Sequence, residues 1–193
     1  MATDISATLN KYARIIGGGN ANNNFGGQIT ASTSDGPRNG LLEFSIPSGS
    51  GSITQVTFHA YIGYNYGTTG DFPIHQLTRS NWTQSGVTYN KYDGTNSWTS
   101  AGGDYGTAMK TISVLGSASV GTKVSWDIMG GSADVPITVN WSDTLELIIR
   151  STTAGAGLDI DCTTNLPYIE ITYTSGGGGP TAMPRMALLG VGQ

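Results

Sequence analysis

Apolar and polar residues alternate along this chain in short runs. Leu42, Phe44 and Ile46 are interleaved with Glu43 and Ser45, and Val56, Phe58, Ala60 and Ile62 with Thr57, His59 and Tyr61. The same two-residue period recurs at 124–128, 145–149, 158–162 and 169–173. Successive side chains on a strand point to opposite faces, so this period predicts strands with one buried and one wet face. Clusters rich in Gly, Asn, Ser and Pro at 17–24, 34–40, 47–52, 63–70, 93–106, 130–136 and 153–157 divide the runs and read as turns. No window combines a helical period with capping residues. Many short strands separated by turn signals predict an all-β fold, an antiparallel β-sandwich of the jelly-roll kind, over residues 1–174.

The end of the chain has a different character. Ser175 is followed by four glycines, and residues 180–193 form a short apolar peptide, expected to be extended. It is too short to span a bilayer, which takes about 20 apolar residues. An apolar peptide left in water is an interaction liability unless something buries it. The expectation is a docking tail held by another subunit or a further copy of the chain, with Met186, Leu188, Leu189 and Val191 as anchors and Arg185 paired to an acid.

Composition narrows the partners. Charged residues make up 11% of the 193, well below the usual quarter, and glycine contributes 29. Polarity comes from Ser, Thr and Asn instead. A net charge of −4 and the lack of any basic run exclude a nucleic-acid partner. One cysteine, Cys162, excludes an intramolecular disulfide; it alternates with Leu158 and Ile160 and reads as a buried free thiol. The first eight residues lack the basic and apolar regions of a secretory signal. Synthesis in the cytoplasm and arrival outside by another route, such as lysis, is the expectation from that start.

Several segments, in order, resemble one known family. Asn22-Asn23-Asn24-Phe25-Gly26 looks like the Asn-rich opening turn of DNRLRE-type domains. Arg38-Asn39-Gly40-Leu41-Leu42-Glu43-Phe44 resembles that family's Arg/Leu-Leu-x-Phe strand, and Ile53 to Tyr61 its following strand, with Val56 for the usual alanine. Asn81-Trp82-Thr83-Gln84-Ser85-Gly86-Val87-Thr88-Tyr89 is similar to its Trp-x-Glu-x-x-Val-Thr-Trp segment, with Gln84 for the acid and Tyr89 for the second tryptophan. Trp126-Asp127-Ile128 and Pro167-Tyr168-Ile169-Glu170-Ile171 resemble its later strands. The match spans 5–174. It implies jelly-roll modules similar to carbohydrate-binding modules, found on bacterial and archaeal surface proteins. A fold of this kind hosts many functions.

Candidate chemistry is sparse. His59 lies on the polar side of a strand and His75 near the start of another, neither with metal-ligand spacing. There is no nucleophile elbow and no zinc-protease helix, and Gly17-Gly18-Gly19 is a turn without a following helix. Asp159 and Asp161 would project from one strand face, where they could take calcium or act as acid and base; a solvated strand face is the plainer reading. Asp93, Asn96 and Asp104 are further oxygen donors in turns. Otherwise no cofactor or metal is called for. Trp82 and Trp126 read as core. Trp98, Tyr92, Tyr64 and Tyr66, set among Gly/Asn-rich loops, are the candidate glycan contacts, since sugar C–H faces stack on aromatic rings.

The first functional reading is a non-enzymatic virion surface protein, a bacteriophage capsid or tail decoration module docked through its C-terminal tail, with weak binding of host glycans. The alternative is a polysaccharide-binding module of a secreted or cell-surface protein. A glycan-cleaving enzyme would need two facing carboxylates in an aromatic groove, and the sequence offers no strong pair.

Overall fold

The computed structural model describes residues 2–175 and is built almost wholly of strands. They are β1 (Ala2–Ile16), β2 (Phe25–Gly26), β3 (Ile29–Ser32), β4 (Arg38–Ser45), β5 (Ser52–Asn65), β6 (Gly70–Leu77), β7 (Tyr105–Val114), β8 (Lys123–Met129), β9 (Thr144–Ile149), β10 (Gly157–Ile160) and β11 (Tyr168–Thr174). One 3-10 turn, Gly18–Asn20, is the sole helical element among the described residues. None is a helix long and apolar enough to cross a membrane.

All pairings between these strands are antiparallel, and they form two sheets. The front sheet runs β1–β11–β5–β8, and the back sheet runs β2–β1–β4–β9–β6–β7. β1 serves both. Its start pairs with β11 from Ala2↔Thr174 to Ala7↔Ile169, and its remainder pairs with β4 from Thr8 to Ile16. An irregularity between Leu9 and Lys11 marks the crossing. An extra residue in one strand resets which side chains face inward. Leu9 and Tyr12 therefore pack on the main core, while Ala13 and Ile15 belong to a second one. At the other end, the short pair β3–β10 bridges β4 to the last turnward residues of β5.

The main core lies between the sheets. Phe44 of β4 and Phe58 of β5 meet at 6.0 Å between ring centroids, and Phe58 meets Trp126 of β8 at 5.3 Å. The Trp126 indole N–H donates to the Phe72 carbonyl of β6 at 2.7 Å, joining front sheet to back. A buried indole needs that acceptor.

The second core explains an exception to the alternation. Ile148 sits where the two-residue period calls for a wet position, yet it is buried. Segment 78–104, between β6 and β7, folds across the outer face of the back sheet. It places Trp82, Val87 and Trp98 against Ala13, Ile15, Leu41, Leu77 and Ile148. The segment has no regular strands. Backbone bonds Thr83 N–H to Tyr92 O, Thr88 N–H to Lys91 O and Trp98 N–H to Asn90 O hold it instead. Trp82 and Trp126 are both buried, as the sequence suggests.

Candidate functional site

The strip formed by β3, β10 and the end of β5 carries a row of cross-strand neighbours. Asp159 stands opposite Thr30 on one side and opposite Tyr64 on the other. Alternation puts Leu158 and Ile160 in the core and leaves Asp159 on the opposite face. Arg14 of β1 continues the row, its Nη1 donating to Thr30 Oγ1 at 3.4 Å. Thr30 in turn donates to Asp159 Oδ1 at 2.6 Å. These groups line an open cleft of about 760 Å³, walled on the far side by Val120, Gly121 and the 161–165 loop.

Tyr64 and Tyr66 form an aromatic corner beside the row. Their rings meet edge to face, centroids 5.1 Å apart at 80°. Tyr64 is 56% exposed and lines the cleft. Tyr66 is half-buried; its hydroxyl accepts from Arg38 Nη1 at 3.0 Å and donates to Asp159 Oδ1 at 3.4 Å. Gly157 allows this seat, because a Cβ there would lie 2.6 Å from the Tyr66 ring and 2.7 Å from Ser32 Oγ. Burial raises the Tyr66 phenol above its ordinary range, and Asp159 adds to the effect. Among the described residues, two of the exposed large apolar side chains, Tyr64 and Val120, line the cleft, and a third, Leu166, directly follows the lining residue Asn165. Such grouping of apolar surface with a few convergent polar groups is what small-ligand sites show.

Electrostatics in the cleft are mixed. Among the described lining residues Arg14 is the single cation, and Asp159 and Asp161 are the two carboxylates. Burial depresses the Arg14 guanidinium, Asp159 opposes that, and its Nε is buried with no hydrogen-bond partner. Its plane lies over Phe25, 4.9 Å from the ring centroid.

The two aspartates expected on one strand face have separate duties. β10 ends at Ile160, so Asp161 begins a turn. Its carboxylate accepts the backbone N–H groups of Thr163, Thr164 and Asn165, the Thr163 hydroxyl and the Asn165 amide. Those donors, the Thr163 N–H first, hold it far below the usual carboxylate range. Asp161 is thereby a loop-fixing residue of the turn, which corrects the expectation that it projects beside Asp159 from one strand face. No group of three His, Cys, Asp or Glu gathers among the described residues. Cys162, also past the strand end, is half-buried, and burial pushes its thiol up to about 12.

Trp98 and Tyr92 lie elsewhere and do other work. Trp98 is 5% exposed, its indole N–H donates to Thr88 O at 3.0 Å, and its ring packs in the second core. Tyr92 covers Trp98 at 5.7 Å and is itself covered by the Arg79 guanidinium at 4.9 Å. Burial removes Trp98 as a stacking platform in this fold, and Tyr92, half-buried, has Arg79 over its ring. Their Gly/Asn-rich surroundings resemble a surface loop, and only tertiary packing reveals the lid. The tail anchors Arg185, Met186, Leu188, Leu189 and Val191 lie outside the described residues.

The histidines are structural. His59 Nδ1 is 2.7 Å from Ser125 Oγ, and its ring lies 4.8 Å from Tyr168. His75 donates through Nδ1 to Gly106 O at 2.9 Å beside Tyr105. Burial lowers both below the ordinary histidine value. Sequence reasoning missed Arg14 and Thr30, because no local pattern tells that β1 and β3 flank β10. One acid pair also escaped it: Glu43 of β4 stands opposite Glu146 of β9, beneath segment 78–104.

The sequence profile of carbohydrate-binding module family 96 matches residues 4–135. That stretch includes Arg14, Thr30, Tyr64 and Tyr66 and stops short of β10. Two of the solved structures that align with the chain are cleaved adhesin domains of Lys-gingipain (Kgp) from Porphyromonas gingivalis W83. The K1 domain is 11% identical with a TM-score of 0.34, covering 92% of this chain and 99% of that one. The K3 domain is 11% identical with a TM-score of 0.40, covering 89% of this chain and 100% of that one. No curated protein matches.

Proposed function

The chain belongs to carbohydrate-binding module family 96, and from that membership we propose that it is a non-catalytic polysaccharide-binding module of a secreted or cell-surface protein, holding its glycan in the β3–β10–β5 cleft. The observation that carries this reading is Tyr64, an exposed ring set directly opposite Asp159. A sugar ring has apolar C–H faces and a polar rim. Tyr64 offers the flat apolar partner, and Asp159, Arg14 and the hydroxyls of the 161–165 loop offer partners for the rim. Tyr66 behind it fixes the Tyr64 ring edge-on, which limits what must be ordered on binding.

Among the described residues, the cleft lacks the parts of a glycosidase. Hydrolysis calls for two carboxyl groups across the scissile bond. Asp161 is committed to its turn, and Asp159 stands alone. Family membership favours this module over a virion decoration protein, for which no comparison speaks. The tail that prompted the virion reading lies outside the described residues.

Affinity electrophoresis and calorimetry against a panel of soluble polysaccharides test the assignment. Tyr64→Ala is expected to weaken binding at least about ten-fold while the melting temperature stays put, as loss of an exposed aromatic anchor does. Binding that survives intact in both Tyr64→Ala and Asp159→Ala would remove the cleft from consideration.

A further inference from the structure

We propose that the module has a second glycan site, a groove on the rim of the 78–104 lid where the Arg79 guanidinium takes the carboxylate of an acidic sugar. The proposal rests on the chain being a polysaccharide-binding module, and it is independent of the β3–β10–β5 cleft.

The groove has a volume of about 370 Å³ and lies where the lid rejoins the back sheet. Thr78 and Arg79 form one wall, and residues 99–104 supply the other. Thr78 N–H donates to Asp104 O at 2.9 Å and so joins the two walls. The Asp104 carboxylate fixes the second wall, accepting the backbone N–H groups of Thr99 at 2.9 Å and Ser100 at 2.8 Å. The turn that follows is anchored from beneath. Gly102 N–H donates to Tyr89 O at 2.7 Å, and the Gly102 carbonyl accepts from the buried Asn39 amide at 2.9 Å. A loop held in this way has little freedom left to lose on binding.

Arg79 is the group that this frame presents. Its Nε donates to Asp104 Oδ2 at 3.0 Å, its plane lies over Tyr92 at 4.9 Å, and its side chain is 40% exposed. Two contacts thus fix the guanidinium and leave its terminal edge within reach of a ligand. Nη1 has no described partner, and Nη2 has one long contact, to the Thr99 hydroxyl at 3.4 Å. That edge offers two parallel N–H donors, the fork that matches a carboxylate. Thr78 and Ser100 are exposed along the walls, and their hydroxyls are free for the sugar's own hydroxyls.

The local charge agrees. Arg150 lies over Tyr105, a lining residue, 4.7 Å from its ring centroid, and no described acid pairs with it. Two cations therefore stand against Asp104 in a chain whose net charge is −4. A local positive excess draws an anionic ligand to that part of the surface. Groove and cleft share no lining residue. The cleft borders β1 and the groove borders β6 and β7, far apart in the strand order of the back sheet. A long polysaccharide held at both places gains avidity without any new contact at either.

The test is an NMR titration of the whole chain with trigalacturonate, a neutral 1,4-linked trisaccharide and acetate. Trigalacturonate is expected to move the amide signals of Thr78, Thr99, Ser100 and Gly103, and to do so equally in wild type and Tyr64→Ala. The neutral trisaccharide and acetate should each need at least about ten-fold more ligand for the same response, the scale of one lost charge-assisted contact. Arg79→Gln should lose the response. Arg79→Lys, which keeps the charge and drops the fork, should weaken it at least about ten-fold. The Trp82 and Trp98 indole signals report whether the lid keeps its packing; where Arg79→Gln disturbs them, Arg79→Lys decides. No groove response, one matched by the neutral trisaccharide or by acetate, or one unchanged in Arg79→Lys overturns the inference, while cleft signals that depend on Tyr64 still uphold the proposed function. A groove response with no response around Tyr64 and Asp159 to any glycan upholds the inference and overturns the cleft alone.

Discussion

Glu146 is 8% exposed, the only acidic residue among the buried polar groups described. It faces Glu43 across β4 and β9, and Glu43 faces Lys11 across β1 and β4. Lys11 Nζ sits 2.6 Å from Glu43 and 4.0 Å from Glu146, so one cation serves two acids. Burial first, and then Glu43, push the Glu146 carboxyl up to about 7. The unfolded chain releases this proton near the ordinary value of 4.5, the folded chain near 7. Between those values the native state binds more protons, and stability falls as pH rises. The loss is on the order of 1–3 kcal/mol across the window. The buried His59 and His75, held below the ordinary histidine value, act in the opposite direction in the same window, so the difference between two proteins isolates Glu146. Denaturant titrations at pH 5 and pH 8 should show Glu146→Gln gaining stability relative to the wild type as pH rises. A difference that stays constant from pH 5 to pH 8 contradicts the shared-proton account.

At the scale of elements, the lid over the back sheet depends on one indole. Trp82 is 1% exposed and lies under Lys11, whose Nζ is 4.6 Å from its ring and donates to its carbonyl at 2.7 Å. Trp82→Ala is expected to cost about 3–5 kcal/mol, as large aromatic truncations in cores do. Hydrogen exchange should then speed up through 78–104 before the sheets respond; uniform speeding everywhere would mean that the lid and sheets open as one unit. How much of this was legible varied by element. β5, β8 and β11 follow the alternation of their residues, since each has one apolar inward face, whereas β4 and β9 also bury Leu41 and Ile148 on their other face, under the lid. β1 escaped it because the irregularity after Leu9 shifts the period midway. β6 escaped it because Phe72, Pro73 and Ile74 are buried in succession. Tyr64 and Tyr66 were visible as aromatics near a glycine-rich turn. That Asp159, Thr30 and Arg14 stand beside them is a matter of strand pairing between segments far apart in sequence, which local pattern does not encode. The same gap made Trp98 look exposed.

For the whole molecule, the place where β1 meets β11 has a mechanical meaning. The ladder between them starts at Ala2↔Thr174 and runs inward to Ala7↔Ile169. Positions 2 and 174 therefore sit side by side at one end of the ladder. Tension applied between them opens it like a zipper, loading one hydrogen-bonded pair at a time. Tension between positions 2 and 168 acts along the strands and loads the pairs together. Single-molecule pulling from the first pair of positions should rupture the fold at distinctly lower force than from the second; equal forces would contradict this reading. Tension carried through the module from residue 2 to residue 174 would thus part β1 from β11 early, giving up length at low force.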